Sequence, residues 1–254
     1  MNKEADEADI EELKILLCEA GRILTYKWLN ESFGHVTARI PGEQRFLMTT
    51  RGALGFVEPS EIELVDFDGR KLTKNSREGA PNEVFLHAEV YKTRPEVMAI
   101  ARTQSKWCEV FGIAGESVKP VHDFGAILMG EVKVFDQPVL GDVKQIGLDM
   151  VKQLQDMNAI ILRGNGSVVL GRSVQEAVVR AVFLDESAFL QLHARLLPGQ
   201  TKFFDEQEVR KLGEDLSRPD RIKRAWDNWL ALATTPLSKV NRGNAKDTSS
   251  PSPS

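Results

Sequence analysis

The chain has 254 residues, of which 42% are hydrophobic and 28% charged, so it can build one large domain or two small ones around a sizeable core. Its net charge of −4 gives no overall pull toward nucleic acid or anionic membrane. No apolar run is long enough to span a bilayer, and the opening MNKEADEADIEEL is too acidic and polar for a secretory leader. The expectation is a soluble cytoplasmic protein with neither nucleic acid nor membrane as partner. Cys18 and Cys108 belong to no motif, which fits a reducing compartment and a space-filling role.

In chain order, ADIEELKILLCEAGRILTYKWLN carries apolar residues at Ile10, Leu13, Leu16, Leu17, Ala20, Ile23 and Leu24, the spacing of a helix. HVTARI and RFLMTT read as strands around the turn PGEQ, and EIELVDFDGRKL as a hairpin through Asp68-Gly69. APNEVFLHAEVYKTRP is a helix, with Pro81 near its start and Pro95 past its end. VMAIA begins another strand, and a short helix starts at Ser105. GEVKVF reads as a strand and DVKQIGLDMVKQLQDM as an amphipathic helix. NAIILRGNGSVVLG reads as strand, Gly-rich turn and strand. Ser173 caps a long helix over SVQEAVVRAVFLDESAFLQLHARLL, and two shorter helices follow in DEQEVRKLGEDL and DRIKRAWDNWLALA. The expected division is a flexible N-terminus over residues 1–7, one α/β domain over 8–233, and a disordered Ser- and Pro-containing tail over 234–254.

The strand that starts at Val97 ends in Arg102-Thr103-Gln104-Ser105. Alternation puts Arg102 and Gln104 on one face, roughly 7 Å apart. An apolar strand that ends with a cation and an amide side by side calls for a reason.

SFGHVTARI, PNEVFLHAEVYKTRPEVMAIARTQS and AIILRGNGSVVLGRSVQEAVVRAVFLDESA together resemble the class II aldolase/adducin family, over roughly residues 8 to 232. The resemblance implies a three-layer αβα sandwich around a central mixed, mostly antiparallel sheet of the nine-stranded type. It also implies a homotetramer with fourfold symmetry and an active site between neighbouring subunits. Enzymes of the family hold a divalent metal, often zinc, on a His-x-His strand end and on the histidine of an Asn-His-Gly turn. The metal stabilises an enolate formed by carbon–carbon cleavage or decarboxylation. In this chain Arg102 and Gln104 stand at the His-x-His positions and Asn165 at the third. A guanidinium is no metal ligand at neutral pH, and amide carbonyls are poor zinc donors. The expectation is therefore no family metal and no cofactor.

The chemistry expected instead is lyase-like, by decarboxylation, retro-aldol cleavage or proton transfer, on a small anionic hydroxy- or oxo-acid, aromatic ones included. Arg102 stands in for the metal charge, with Gln104 and Asn165 bonding the same oxygens. Glu83 is where the resemblance places an acid/base, and His87 shares its helix face at i, i+4. His35, behind Gly34, resembles the decarboxylase-like branches of the family. Arg51 and Gly52 lie where relatives bind phosphate or substrate, and His122 is a candidate for acid/base work. Against these stand plainer roles: Glu83 as a helix cap, His87 as a satisfied core residue, Arg51 as a solvated turn residue, and Asn165 as a turn residue in left-handed geometry. His193 reads as structural or surface, and Trp226 and Trp229 as packing. Two rival functions remain at this level. One is a non-catalytic binding or assembly module; the other is a lyase with a metal site rebuilt on His35, His87 and His122.

Overall fold

The computed structural model describes residues 7–30, 32–73, 80–139 and 143–235. Helix α1 (Glu7–Tyr26) leads into strands β1 (His35–Arg39), β2 (Arg45–Met48) and β3 (Glu63–Asp66). Helix α2 (Val84–Thr93), strand β4 (Ala99–Thr103) and helix α3 (Lys106–Ala114) follow. Then come β5 (Val134–Phe135), α4 (Val143–Leu154), β6 (Ala159–Leu162), β7 (Ser167–Gly171) and α5 (Val174–Ala194). Helices α6 (Glu206–Leu216) and α7 (Pro219–Thr234) close the described chain. The flexible and disordered ends expected from the sequence lie almost wholly outside the described residues, although α7 runs to Thr234.

The helix boundaries have local causes. Ser105 and Ser173 accept hydrogen bonds from the amides of Cys108 and Glu176, and Asp205 forms a capping box with Glu208. Pro219 opens α7 at the first turn, where its missing N–H does no harm. The Asp68-Gly69 turn forms as expected: Gly69 has φ +78°, and the Asp66 carboxylate accepts from the amides of Asp68 and Arg70.

The strands form one sheet in the order β3-β2-β1-β4-β7-β6-β5, antiparallel throughout except for the β5–β6 pair. Among the described residues there are seven strands, not nine. GEVKVF pairs with β6 only at Val134 and Phe135, and Val132 forms a lone bridge to Val118. A second lone bridge joins Val65 to Lys71.

Alternation along the strands sorts side chains into two cores. Val36, Ala38, Ile40, Ala99, Ala101 and Val169 pack with α1, α3, α5 and α7 on one face. Ile100, Val168 and Leu170 pack with α2 and α4 on the other. These are the two outer layers of an α/β/α sandwich. Trp226 and Trp229 lie in the first core, as packing residues. Burial pushes the Cys18 and Cys108 thiols up to about 11 and about 12, consistent with inert filling. His193 is exposed on α5, against Trp107 and Phe189. On the α2 side, the odd positions of β1 and the even positions of β4 introduce polar groups: His35, Thr37, Arg39 and Arg102. Antiparallel pairing sets His35 directly opposite Arg102.

Candidate active site

The site is built first from the end of β4. Arg102 is 1% exposed, although it carries a full charge. Its Nη2 donates to Asn165 Oδ1, while Nε and Nη1 meet no protein acceptor. Gln104 Nε2 reaches the same Asn165 oxygen at 3.5 Å. The turn carrying Asn165 presses onto the strand end: a Cβ on Gly166 would lie 1.8 Å from the Thr103 carbonyl oxygen. Gly164 and Gly166 take the positive φ values of this turn, +65° and +71°, and Asn165 does not. Its amide is therefore not required for turn geometry. It holds the guanidinium instead.

The loop before β1 is equally tight. Gly34 has φ +124°, and a Cβ there would overlap Asn30 Nδ2 at 1.5 Å. That nitrogen donates to Phe33 O at 3.0 Å and to Arg102 O at 3.4 Å, tying the loop to β4. His35 enters the sheet at this point, with Nε2 3.7 Å from Glu83 Oε2.

Glu83 occupies the cap position of α2, yet its side chain makes no capping hydrogen bond. It turns toward His35 and Arg102 instead. That overturns the plain reading of Glu83 as a helix cap. The His35 imidazole draws its carboxyl down to about 2 against the opposing effect of burial, and Arg102 adds to the pull. Glu83 is thus ionised at neutral pH. Burial lowers the His35 pKa, more than Glu83 raises it, so the imidazole is neutral.

These groups line a cavity of about 240 Å³, closed by Phe33, Arg51, Pro81 and Asn82. Arg51 is fixed at its rim, donating through Nη2 to Asn82 Oδ1 at 2.8 Å and through Nε to Ala80 O at 3.2 Å. Larger hollows exist, such as the open groove of about 1100 Å³ beside Arg39. There the buried guanidinium is already bound by backbone carbonyls. The smaller cavity has a buried cation with free donors, and free donors are what bind a ligand.

Five of the expected site residues thus converge with Glu83: His35, Arg51, Arg102, Gln104 and Asn165. Gly52 flanks Arg51 without lining the cavity. His87 needs correction as a substrate contact. It is wholly buried behind the cavity, with Nδ1 3.0 Å from Thr37 Oγ1, because i, i+4 spacing from Glu83 carries it one turn deeper under the sheet. His122 also needs correction. The segment after α3 takes it to α5, where Nε2 lies 2.9 Å from Ser187 Oγ and the ring meets Phe124. Phe33, Asn82 and, beyond its place at the helix start, Pro81 belong to no site motif in the sequence. Their signal was adjacency: two lie just before Glu83 and one two residues before His35.

The donor set does not fit a divalent metal. Among the described residues Glu83 and His35 are the only ligand types that line the cavity, Arg102 beside them repels a divalent ion, Asn165 Oδ1 is already taken by the guanidinium, and Gln104 offers a single weak oxygen. Among the described residues no three His, Cys, Asp or Glu side chains converge on a point suited to a metal. The rebuilt site on His35, His87 and His122 does not assemble, since His122 packs with Phe124 and Ser187 rather than beside the other two.

Comparison with known proteins agrees with this fold. The family model for the Class II Aldolase and Adducin N-terminal domain matches residues 15–192. A 3,4-dihydroxyphthalate decarboxylase of Arthrobacter keyseri is 31% identical over 227 residues, 84% of this chain and 90% of that protein. A 3-oxo-tetronate 4-phosphate decarboxylase of Escherichia coli K12 is 27% identical over 63% of this chain and 76% of its own. The L-fuculose 1-phosphate aldolase structure from Glaciozyma antarctica PI12 has a TM-score of 0.76 at 25% identity, covering 89% of this chain and 90% of that one.

Proposed function

The chain belongs to the class II aldolase and adducin family, and from that premise we propose that it is a decarboxylase for a small anionic hydroxy- or oxo-acid, aromatic acids included, working without the family's metal. One observation carries the metal-free part of this reading: the buried Arg102 guanidinium with two free nitrogens at the cavity floor, beside an ionised Glu83. The decarboxylase names of the relatives support the reaction class and favour an enzyme over an assembly module.

The chemistry follows from the two charges. A substrate oxygen anion binds one of the two free donors of Arg102, Nε or Nη1, which lie on different edges of the guanidinium, with Gln104 beside it and Arg51 at the rim for a second anionic group. The substrate carboxylate leaves as carbon dioxide. Its bonding pair flows into the hydroxyl- or oxo-bearing frame and ends as an enolate or phenolate oxygen held by Arg102, which is charge stabilisation where charge develops. In a hydroxy-acid Glu83 takes the hydroxyl proton and delivers it to the carboxyl-bearing carbon before carbon dioxide leaves; in an oxo-acid that carbon takes its proton from a water by way of Glu83 after carbon dioxide has left. A neutral His35, with Nε2 3.7 Å from Glu83 Oε2, faces the carboxylate and keeps it aimed into the cavity.

The proposal extends to a homotetramer. Trp28, 74% exposed, and Phe33, 68% exposed, flank the loop that enters the cavity and supply apolar surface for a neighbour. Among the described residues no helix is long and apolar enough to cross a membrane.

The test is carbon dioxide release from a panel of hydroxybenzoates, hydroxyphthalates and oxo-acids, by purified protein before and after chelator treatment. Release that survives the chelator supports the reading. Release that needs added zinc or manganese refutes its metal-free part, and no release from any acid refutes the decarboxylase.

A further inference from the structure

Behind the cavity lies a buried polar file that the proposed reaction leaves unused. Tyr91 Oη is 2.8 Å from Thr37 Oγ1, and Thr37 Oγ1 is 3.0 Å from His87 Nδ1. His87 Nε2 and both ring nitrogens of His35 are buried and have no protein hydrogen-bond partner. The His35 and His87 ring centroids are 6.3 Å apart. A ring nitrogen lies roughly 1 Å from its centroid, so the nearest nitrogens are about 4 Å apart or more, too far for a direct hydrogen bond, and a link between the rings needs a bridging water.

Proton counting orients this file. If His87 Nδ1 carried the proton, it would donate to Thr37, Thr37 would donate to Tyr91, and the Tyr91 hydroxyl proton would have no acceptor in the core. In the opposite direction every hydroxyl proton is used: Tyr91 donates to Thr37 and Thr37 donates to Nδ1. His87 then carries its proton on Nε2. Burial drives its pKa down to about 3, so it stays a neutral dipole and adds no second cation beside Arg102.

We propose that His87 is a positioning residue: through one buried water its Nε2–H donates to His35 Nδ1, fixing the His35 proton on Nε2, where it faces Glu83. The file then runs in one direction, from Tyr91 through Thr37, His87 and His35 to the Glu83 carboxylate. The groups facing the His35 imidazole are Glu83 and His87 from the α2 side, Arg102 from β4, and the Gly34 carbonyl from the start of its own strand. Only that carbonyl competes, because it would accept from a proton on Nδ1. The inference deepens the site described above. Its activity arm rests on the decarboxylase reading, and its spectroscopic arm does not.

The chain has four histidines, His35, His87, His122 and His193, so ¹⁵N-histidine labelling of the whole protein gives a readable spectrum. Wild type is expected to show His35 and His87 both as Nε2–H tautomers. His87→Phe removes the donor, so the His35 proton moves in part to Nδ1 and its titration midpoint rises. His87→Gln supplies an amide donor and restores the wild-type tautomer. If His87→Phe does not fold, Thr37→Val leaves His87 in place without its Nδ1 partner and is expected to mix both tautomers. For an acid that turns over, His87→Phe lowers kcat by about tenfold with KM held, since the anion clamp is untouched, and His87→Gln recovers it. A wild-type His35 protonated on Nδ1, or a His35 signal identical in all variants, overturns the inference. No turnover of any acid with the expected His35 behaviour sinks the reaction and leaves the inference standing.

Discussion

Arg39 and Arg102 sit on neighbouring strands, both buried, on the same face of the sheet, and they are bonded in opposite ways. Arg39 donates through Nε to Val97 O at 2.9 Å and through Nη2 to Tyr91 O at 2.6 Å and Arg94 O at 3.1 Å. Its guanidinium also lies 4.8 Å from the ring centres of both Phe67 and Tyr91. Arg102 has one amide oxygen and two nitrogens to spare. The first arginine clamps the end of α2 to the sheet. The second keeps two donors that no group of the described chain fills. Burial alone therefore does not separate the two arginines; the acceptor count does.

The sharpest way to break that contrast is to remove each charge. Arg102→Met is expected to weaken turnover or ligand binding by at least about 2 kcal/mol, roughly 30-fold or more, because a charged partner of the substrate is lost. Its thermal stability holds, since no protein acceptor but Asn165 is left behind. Arg39→Met does the reverse. It leaves buried carbonyls without donors and lowers stability by about 3 kcal/mol in a denaturant titration, while activity per folded molecule stays near wild type. Equal effects of the two substitutions on both readouts would abolish the distinction.

A milder probe keeps the charge. Arg102→Lys loses the planar fork that binds two oxygens at once, so about tenfold of activity is expected to go, measured as kcat/KM. Retention of full activity would reduce the role of Arg102 to a point charge.

The two ends also differ in their response to acid. Arg39 is held by neutral carbonyls, whereas Arg102 shares its site with Glu83, whose pKa lies near 2 against an ordinary 4.5. A depressed carboxyl stabilises the fold above its unfolded pKa, and that stability is lost as pH falls through the folded one. The loss falls between about pH 4.5 and 2, and it amounts to about 1–2 kcal/mol once partial exposure is allowed for. Glu83→Gln is expected to flatten that part of the stability curve, measured by denaturant midpoints against pH. A curve that keeps its slope would place the acid-sensitive charge elsewhere.

Much of this was legible in the sequence because it depends on local pattern. The period-two run ends in Arg102 and Gln104, which both line the cavity, and the helices follow their caps and apolar spacing. What was not legible depends on distance along the chain. His87 and Glu83 share a helix face, but only the depth of α2 against β1 decides that one lines the cavity and the other sits behind it. His122 lies in a segment whose course to α5 has no sequence signature. Asn165 has the sequence of a left-handed turn residue, but Gly164 and Gly166 carry the positive φ values. Arg39 gave no sign of its role, because its three acceptors come from α2 and the turn into β4, more than fifty positions away.

Metal-independent turnover by Arg102 is tested most directly by one paired assay. Wild type and Arg102→Met are stripped with chelator, their metal content is measured, and carbon dioxide release is followed on the best acid of the panel. The account predicts less than about a tenth of a metal ion per chain in both, full release by wild type, and release by the variant down at least about 30-fold in a folded protein. Roughly one tightly held zinc, manganese or iron per wild-type chain, with release that disappears when it is removed, would contradict it.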